Sequence, residues 1–415
     1  MKRSLASALL ITLGLTVVLG ALHGFGLVAG FENALLALLS HHRPGTRVVG
    51  LLWQILIILG LGLIVSWLTL SSRRRLRIGL VALVLVFELV GVTWVCSLYR
   101  VAFHPLPSIL AVALAFVISE RWAALTTRNR SALARSFFGD RLSSDQLQRV
   151  IEGEIPLETE AKAYEVSVVV CDIANKYDLA DEADPTDFAQ TTEAFIRRTT
   201  DLFLEADGYI LAADGEGVVA LFGFPDANSD HADKAVRVTL GMIDSFNKER
   251  QQNNGDPFGR CDIHMGVSSG NIIVAPLQDS AKPGLLTSGE PVELARRFCV
   301  ANRFYGSRIL IGPRTFDLSS KQIVARPIDF LSGVNSQERH EIYEPLWLAA
   351  EANPEHIARR DSFWNGVVLY REKRWAEAYT EFQKAKGPDG EDDAPLALYL
   401  RRLETLALHL TTAGE

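Results

Sequence analysis

The residues Val166-Ser-Val-Val-Val-Cys171, closed by Asp172-Ile173, and the later Asp207-Gly-Tyr-Ile-Leu-Ala-Ala213, Asp214-Gly-Glu-Gly217 and Val218-Val-Ala-Leu-Phe222-Gly223 decide the fold. The first is a short run rich in β-branched residues, which reads as a buried strand with a carboxylate at its carboxyl end. The second is a pair of apolar runs around a Gly-rich turn, which reads as a β-hairpin with acids at its tip. Together they can bring two carboxylates around one hard cation. Oxygen ligands, little histidine and nearby glycines suit magnesium with a polyphosphate rather than zinc. On spacing alone, a solvated acidic hairpin tip that binds nothing is the alternative.

Other motifs follow in order: Cys-Asp-Ile-His-Met-Gly-Val-Ser-Ser-Gly-Asn-Ile from Cys261, Ser-Gly-Glu-Pro-Val-Glu-Leu-Ala-Arg-Arg-Phe from Ser288, and Arg-Phe-Tyr-Gly-Ser-Arg-Ile-Leu-Ile-Gly-Pro-Arg-Thr-Phe from Arg303. That series, from about Arg135 to Leu346, resembles the catalytic domain of the class III adenylyl and guanylyl cyclases. The resemblance implies an α+β, ferredoxin-like cyclase domain. Strand signals at Val166–Cys171, Tyr209–Ala213, Val218–Phe222, Ile263–Val267, Ile272–Ala275, Arg308–Ile311 and Glu341–Tyr343, with helices over Asp187–Ala206, His231–Gln252 and Val292–Phe304, predict an antiparallel-rich sheet with helices on one face.

The resemblance also implies a site. In this family two aspartates of one subunit hold two Mg or Mn ions, which polarise the triphosphate and activate the ribose hydroxyl. The matching residues are Asp172 and Glu216, the usual Gly-Asp-Gly turn reading Gly215-Glu216-Gly217 here, with Asp214 two residues earlier as a compensating acid. The backbone amides of Ile173, Ala174, Asn175 and Lys176 match the phosphate cradle, where the usual Phe-Thr is replaced by Lys176-Tyr177. A second subunit supplies Asn-x-x-x-Arg, matched by Glu293 and Arg297. Glutamate there sets a negative charge beside a polyanion. The plain reading is an ion pair one helical turn apart, worth about 0.3–0.5 kcal/mol. The base-reading positions match Ala212 and Leu286, neither able to hydrogen-bond through its side chain. The late-loop lysine falls near Ser332.

Three functions stay open. The first is a cyclase homologue in cyclic-nucleotide signalling with weak or lost catalysis and a nucleotide-binding or regulatory role. The second is a working cyclase making cAMP or cGMP, and the third a membrane scaffold acting through its dimer surface and helical tail. A nucleoside triphosphate, a homodimer or a heterodimer with another cyclase chain, and the membrane are the expected partners.

The first 125 residues read as a transmembrane region. The runs Leu5–Gly30, Val49–Ser72, Ile78–Tyr99 and the shorter Pro105–Ser119 are apolar, and a spanning helix needs about 20 such residues. Placing Lys2, Arg3, Arg73, Arg74, Arg75, Arg77, Arg121, Arg128 and Arg130 in the cytoplasm requires four spans with both termini inside. That predicts a multi-pass protein of the inner or plasma membrane, with Arg43 and Arg47 against the rule. One span, a brief outer segment and three further spans resemble a CHASE-type membrane cyclase lacking most of its extracellular sensor. Glu88, near the middle of the third span, is either a functional carboxylate or packing glue.

Residues 1–130 hold twelve Lys/Arg against three Asp/Glu, a net of +9; with −7 for the chain, the remainder carries −16. An acidic remainder excludes a nucleic-acid footprint. Cys96, Cys171, Cys261 and Cys299 show no paired spacing, so disulfides are not expected. Residues 126–160 read as a helical linker, 161–348 as the cyclase homology domain and 355–412 as a helical tail. In the tail, Gly366, Ala378, Phe382 and Ala385 match one tetratricopeptide repeat. A single repeat cannot bury its own face, so the tail is expected to pack on the cyclase-like domain or on a partner.

Overall fold

A computed structural model describes residues 2–39, 47–72, 75–158, 160–182, 184–252, 257–277, 284–334, 338–388 and 393–412. The chain divides into two compact units, Met1–Ser131 and Ala132–Glu415.

The first unit contains α1 (Lys2–Gly24), α2 (Ala29–Leu39), β1 (Arg47–Val48), α3 (Leu51–Ser71), α4 (Arg75–Leu98), β2 (Val101–Ala102) and the start of α5 (Pro105–Phe138). Four segments, Leu5–Gly24, Leu51–Ser71, Leu76–Leu98 and Pro105–Phe138, are long and apolar enough to cross a membrane. Two expected boundaries change. The first apolar run stops being one helix at Gly24, and Ala29–Leu39 forms a separate short helix. The fourth run is no short span: α5 continues for 34 residues. Proline starts it, where a missing N–H costs nothing; Pro107 still lies in the first turn, and no glycine or later proline interrupts the helix before Gly139, whose φ is +51°. The expected break between residues 125 and 126 therefore falls inside one helix.

Helices α1 and α3 approach closely through small residues, a Cβ on Gly62 lying 3.1 Å from Thr12 Cγ2. Leu15, Val65, Ala82, Leu89, Val112 and Ala115 form the inner cluster of this unit, while Leu10, Leu52 and Leu76 are exposed. Glu88 is exposed on α4. Arg43, Arg73 and Arg74 lie outside the described residues.

The second unit takes in the end of α5, then α6 (Ser144–Glu152), β3 (Lys162–Ile173), α7 (Lys176–Glu182), α8 (Pro185–Glu205), β4 (Tyr209–Asp214), β5 (Gly217–Phe222) and α9 (His231–Gln252). It continues with β6 (Ile263–Leu277), β7 (Gly284–Ser288), α10 (Glu290–Tyr305), β8 (Ile309–Ile311), α11 (Pro313–Ser319), β9 (Ile323–Ser332), β10 (Arg339–Leu348), α12 (Pro354–Arg371), α13 (Trp375–Lys384) and α14 (Ala394–Thr412). Its strands form one mixed α+β sheet in the order β4-β5-β3-β6-β8-β10-β9, with β7 added to the far part of β6. Neighbours are antiparallel except β6 and β8, which run parallel.

The apolar run of β3 is buried because it has a helical layer on each side. Val169, Cys171 and Ile173 face a core with Phe195 and Phe203 of α8 and Val236, Met242 and Phe246 of α9. Val166, Val168 and Val170 face the other way, towards Phe137 and Phe138 of α5, Val150 of α6 and Ala295 and Cys299 of α10. The expected placement of helices on a single face is thus corrected: a strand apolar at successive positions needs cover on both faces. The two strands expected at Ile263–Val267 and Ile272–Ala275 are one 15-residue strand, β6. It runs through Ser268, Ser269 and Gly270, whose side chains are too small and polar to signal a strand.

The tail packs on this unit. Phe363, Val367, Ala378, Phe382, Leu396 and Tyr399 share a core with Leu294 and Phe298 of α10 and with Ile328 and Ile342 of β9 and β10.

Candidate functional site

Strand β3 delivers Asp172 to its carboxyl end. Cys171 pairs with Val218 of β5, so the β4–β5 hairpin turn lies beside Asp172. The hairpin closes on Asp214 and Gly217, with Gly215-Glu216 as its two-residue loop. Two features shape that loop. The Glu216 N–H donates to Asp214 Oδ1 at 2.9 Å, so Asp214 braces the turn. Gly217 has φ +105°, and a Cβ there would lie 2.3 Å from the Cys171 carbonyl oxygen.

The acids of strand and turn meet at a third side chain. Lys176, which opens α7, donates from Nζ to Asp172 Oδ2 at 3.1 Å and lies 3.7 Å from Glu216 Oε2. Its side chain is 16 % exposed, that of Asp172 24 % and that of Glu216 81 %. Burial pushes the Asp172 carboxyl above the usual carboxylate range; the Lys176 hydrogen bond and charge and the Ile173 N–H only partly offset it. Burial also works against the Lys176 charge. There the hydrogen bond and charge of Asp172, with Glu216 behind them, outweigh it, and the ammonium is held more firmly protonated.

This donor set does not fit the expected pair of Mg or Mn ions. Such ions need carboxylate oxygens at about 2.0–2.1 Å in near-octahedral array. Here an ammonium already occupies the span between Asp172 and Glu216.

The phosphate-cradle segment is partly engaged within the chain. The Ile173 N–H donates to Asp172 Oδ1 at 2.8 Å and the Ala174 N–H to the Asp262 carbonyl at 2.7 Å. The Asn175 side chain accepts from the Asp262 N–H and donates to the Arg260 carbonyl. Beyond it, Tyr177 is flanked by two cations, with Lys176 Nζ 5.8 Å and the Arg303 guanidinium 5.4 Å from its ring centre. Arg303 opens the last of the quoted motifs, but the sequence reading gives it no role in the site.

Glu293 and Arg297 are together, one turn apart on α10. Arg297 Nε donates to Glu293 Oε1 at 3.2 Å, and Nη1 donates to the Gly333 carbonyl at 2.6 Å and that of Ser332 at 3.5 Å. The arginine is tied to its own helix and to the end of β9. Ala212 on β4 is partly buried against the sheet core, whereas Leu286 on β7 is 54 % exposed; β5, β3 and β6 lie between their strands in the sheet. Burial pushes the Cys299 thiol up to about 12 and holds the Cys171 thiol well above its ordinary value, so both are kept protonated.

The sequence reading counts Lys176 only for its backbone amide, and the structure adds its side chain to the site. The signal was available: its spacing of four from Asp172, and the exchange of Phe-Thr for Lys-Tyr.

Residues 159–326 match the family described as "Adenylate and Guanylate cyclase catalytic domain". An adenylate cyclase of Anabaena cylindrica is 24% identical over 152 residues, covering 36% of this chain and 30% of that protein. Adenylate cyclase 1 of Rhizobium meliloti is 21% identical over 192 residues, 46% of this chain and 28% of that protein. The matches thus span less than a third of either relative. Among solved structures, the adenylyl cyclase CyaB of P. aeruginosa aligns with a TM-score of 0.42 and 21% identity, over 47% of this chain and all of that one. The buried β3 strand and the acid-tipped hairpin both lie within segment 159–326, the part of the chain that matches the adenylate and guanylate cyclase catalytic domain.

Proposed function

We propose that this chain is a membrane-anchored member of cyclic-nucleotide signalling whose own site has weak or lost turnover, and which acts by binding a nucleoside triphosphate or by regulating a second cyclase chain. The observation that carries this reading is the state of Glu293 and Arg297. A glutamate replaces the asparagine that would seat the ribose, and the arginine is held by that glutamate and by two carbonyls of its own chain. Losing one preorganised charge contact costs on the order of a hundredfold in rate, and here the ribose, base and late-loop positions all depart together.

The four apolar helices supply the anchor. The basic residues at their ends orient the second unit to the cytoplasm, at the inner or plasma membrane. By family likeness the working unit is a dimer, with itself or with a complete cyclase that supplies the missing groups.

A second reading, a slow cyclase, is favoured by the retention of two acids, Asp172 and Glu216, close together at the strand end and the hairpin tip. Full-length protein in detergent, incubated with manganese and either ATP or GTP, separates the two. We expect nucleotide retention without cyclic product. Product that vanishes in Asp172→Ala would establish the second reading.

A further inference from the structure

We propose that Lys176 is the resident cation of this site, a tethered ammonium standing where the family's likeness calls for divalent metal. The inference rests on the reading of Asp172 and Glu216 as an ancestral metal pair.

Three observations carry it. The ammonium lies 3.1 Å from Asp172 Oδ2 and 3.7 Å from Glu216 Oε2, so it links both acids. Its side chain is the most buried of the three, 16 % exposed, so it is built into the site rather than draped over it. Its position is fixed by the chain: Lys176 starts α7 only four residues after Asp172, and Asn175 pins the intervening turn to Asp262 and Arg260.

The chemistry differs from that of a metal in kind. An ammonium donates hydrogen bonds and carries one charge, whereas a divalent ion accepts lone pairs from six oxygens. A metal entering here must displace Lys176 and then tolerate a positive charge a few ångströms away. The triphosphate oxygens of a bound nucleotide would meet one fixed cation that needs no loading, so retention of nucleotide would survive chelation. The same ammonium cannot polarise a phosphoryl oxygen as a Lewis acid, which accords with lost turnover.

The test is Mn(II) binding to the full-length protein in detergent, followed by electron paramagnetic resonance, for wild type, Lys176→Met and Lys176→Arg. Methionine keeps the length and removes the charge; arginine keeps the charge and controls for folding. The expected result is a gain in Mn(II) affinity of about tenfold or more in Lys176→Met, abolished by adding Asp172→Asn, with Lys176→Arg behaving as wild type. A smaller gain, or wild-type binding as tight as that of Lys176→Met, would overturn the proposal. Failure here is distinct from failure of the proposed function: Mn(II) held by wild type without cyclic product sinks only this inference, and cyclic product formed without bound metal sinks only the other.

Discussion

At Gly217 the backbone has φ +105°, and any side chain would collide with the Cys171 carbonyl. Only glycine satisfies both demands, and the turn it closes aims Glu216 at Lys176. Gly217→Ala is expected to lower stability by at least about 1–2 kcal/mol from the left-handed backbone alone, read as a fall in the thermal midpoint. His264, opposite Asp172 in the β3–β6 ladder, sets a pH limit. Burial, with Arg303 and Arg308 against Asp262, lowers its pKa from 6.5 to about 4. Between those values the unfolded chain takes up a proton that the folded chain refuses, so stability falls as pH drops from about 6.5 to about 4 and then levels. Buried His231, which pairs with Ser167 at 2.9 Å, is shifted the same way by burial. His264→Gln should therefore shallow, without abolishing, the loss of the unfolding midpoint across that interval.

Among elements, the pairing of α12 with α13 shows how small a tolerance the tail has. A Cβ on Gly366 would lie 2.7 Å from Phe382 Cδ1, and Phe382 is itself fully buried between Phe363 and Tyr399. Gly366→Ala is expected to force the two helices apart at a cost of about 1–3 kcal/mol, seen as earlier unfolding of the tail in hydrogen exchange. Helix α10 behaves differently. It presents Leu294 and Phe298 to the tail and Ala295 and Cys299 to the sheet, while its Glu293–Arg297 edge lies outside both cores and meets the rest of the fold through the Arg297 bonds to the Gly333 and Ser332 carbonyls.

For the whole molecule, the decisive tie is Arg326 on β9. Buried, it donates to Glu344 of β10 at 2.7–2.8 Å and, through Nη1 and Nη2, to both oxygens of Asp393, just before α14, at 2.7 Å. Both acids are largely buried with it, yet they titrate oppositely. Burial opposes ionisation of Asp393, but Arg326 and the Leu396 N–H outweigh it and hold its pKa low; burial wins at Glu344 and pushes it up. The Asp393 share of stability is present above its ordinary value of 3.8 and lost as pH falls through the lowered one. Arg326→Met leaves two acids buried without their cation. It should cost about 3–5 kcal/mol, measured as a shift in the urea midpoint of the second unit, and should release the tail's Asp393 end from the sheet.

Much of this was legible in the chain. Period and composition disclosed the four apolar helices, the buried β3 run and the acid-tipped hairpin, because each depends on neighbours a few residues away. Local pattern also marked Asp172 and Glu216 as near each other, since one strand pairing suffices to join them. It misplaced what depends on contacts across the sequence. The second helical layer comes from α5, α6 and α10, which meet only once folded; the continuity of β6 through two serines and a glycine is imposed by β3 alongside it. Above all, the two carboxylates alone suggested a metal, and only the fold, by bending Lys176 back between them, put an ammonium there instead. The family resemblance, read along the chain, named the acids, but which cation they share is a matter of three-dimensional distance.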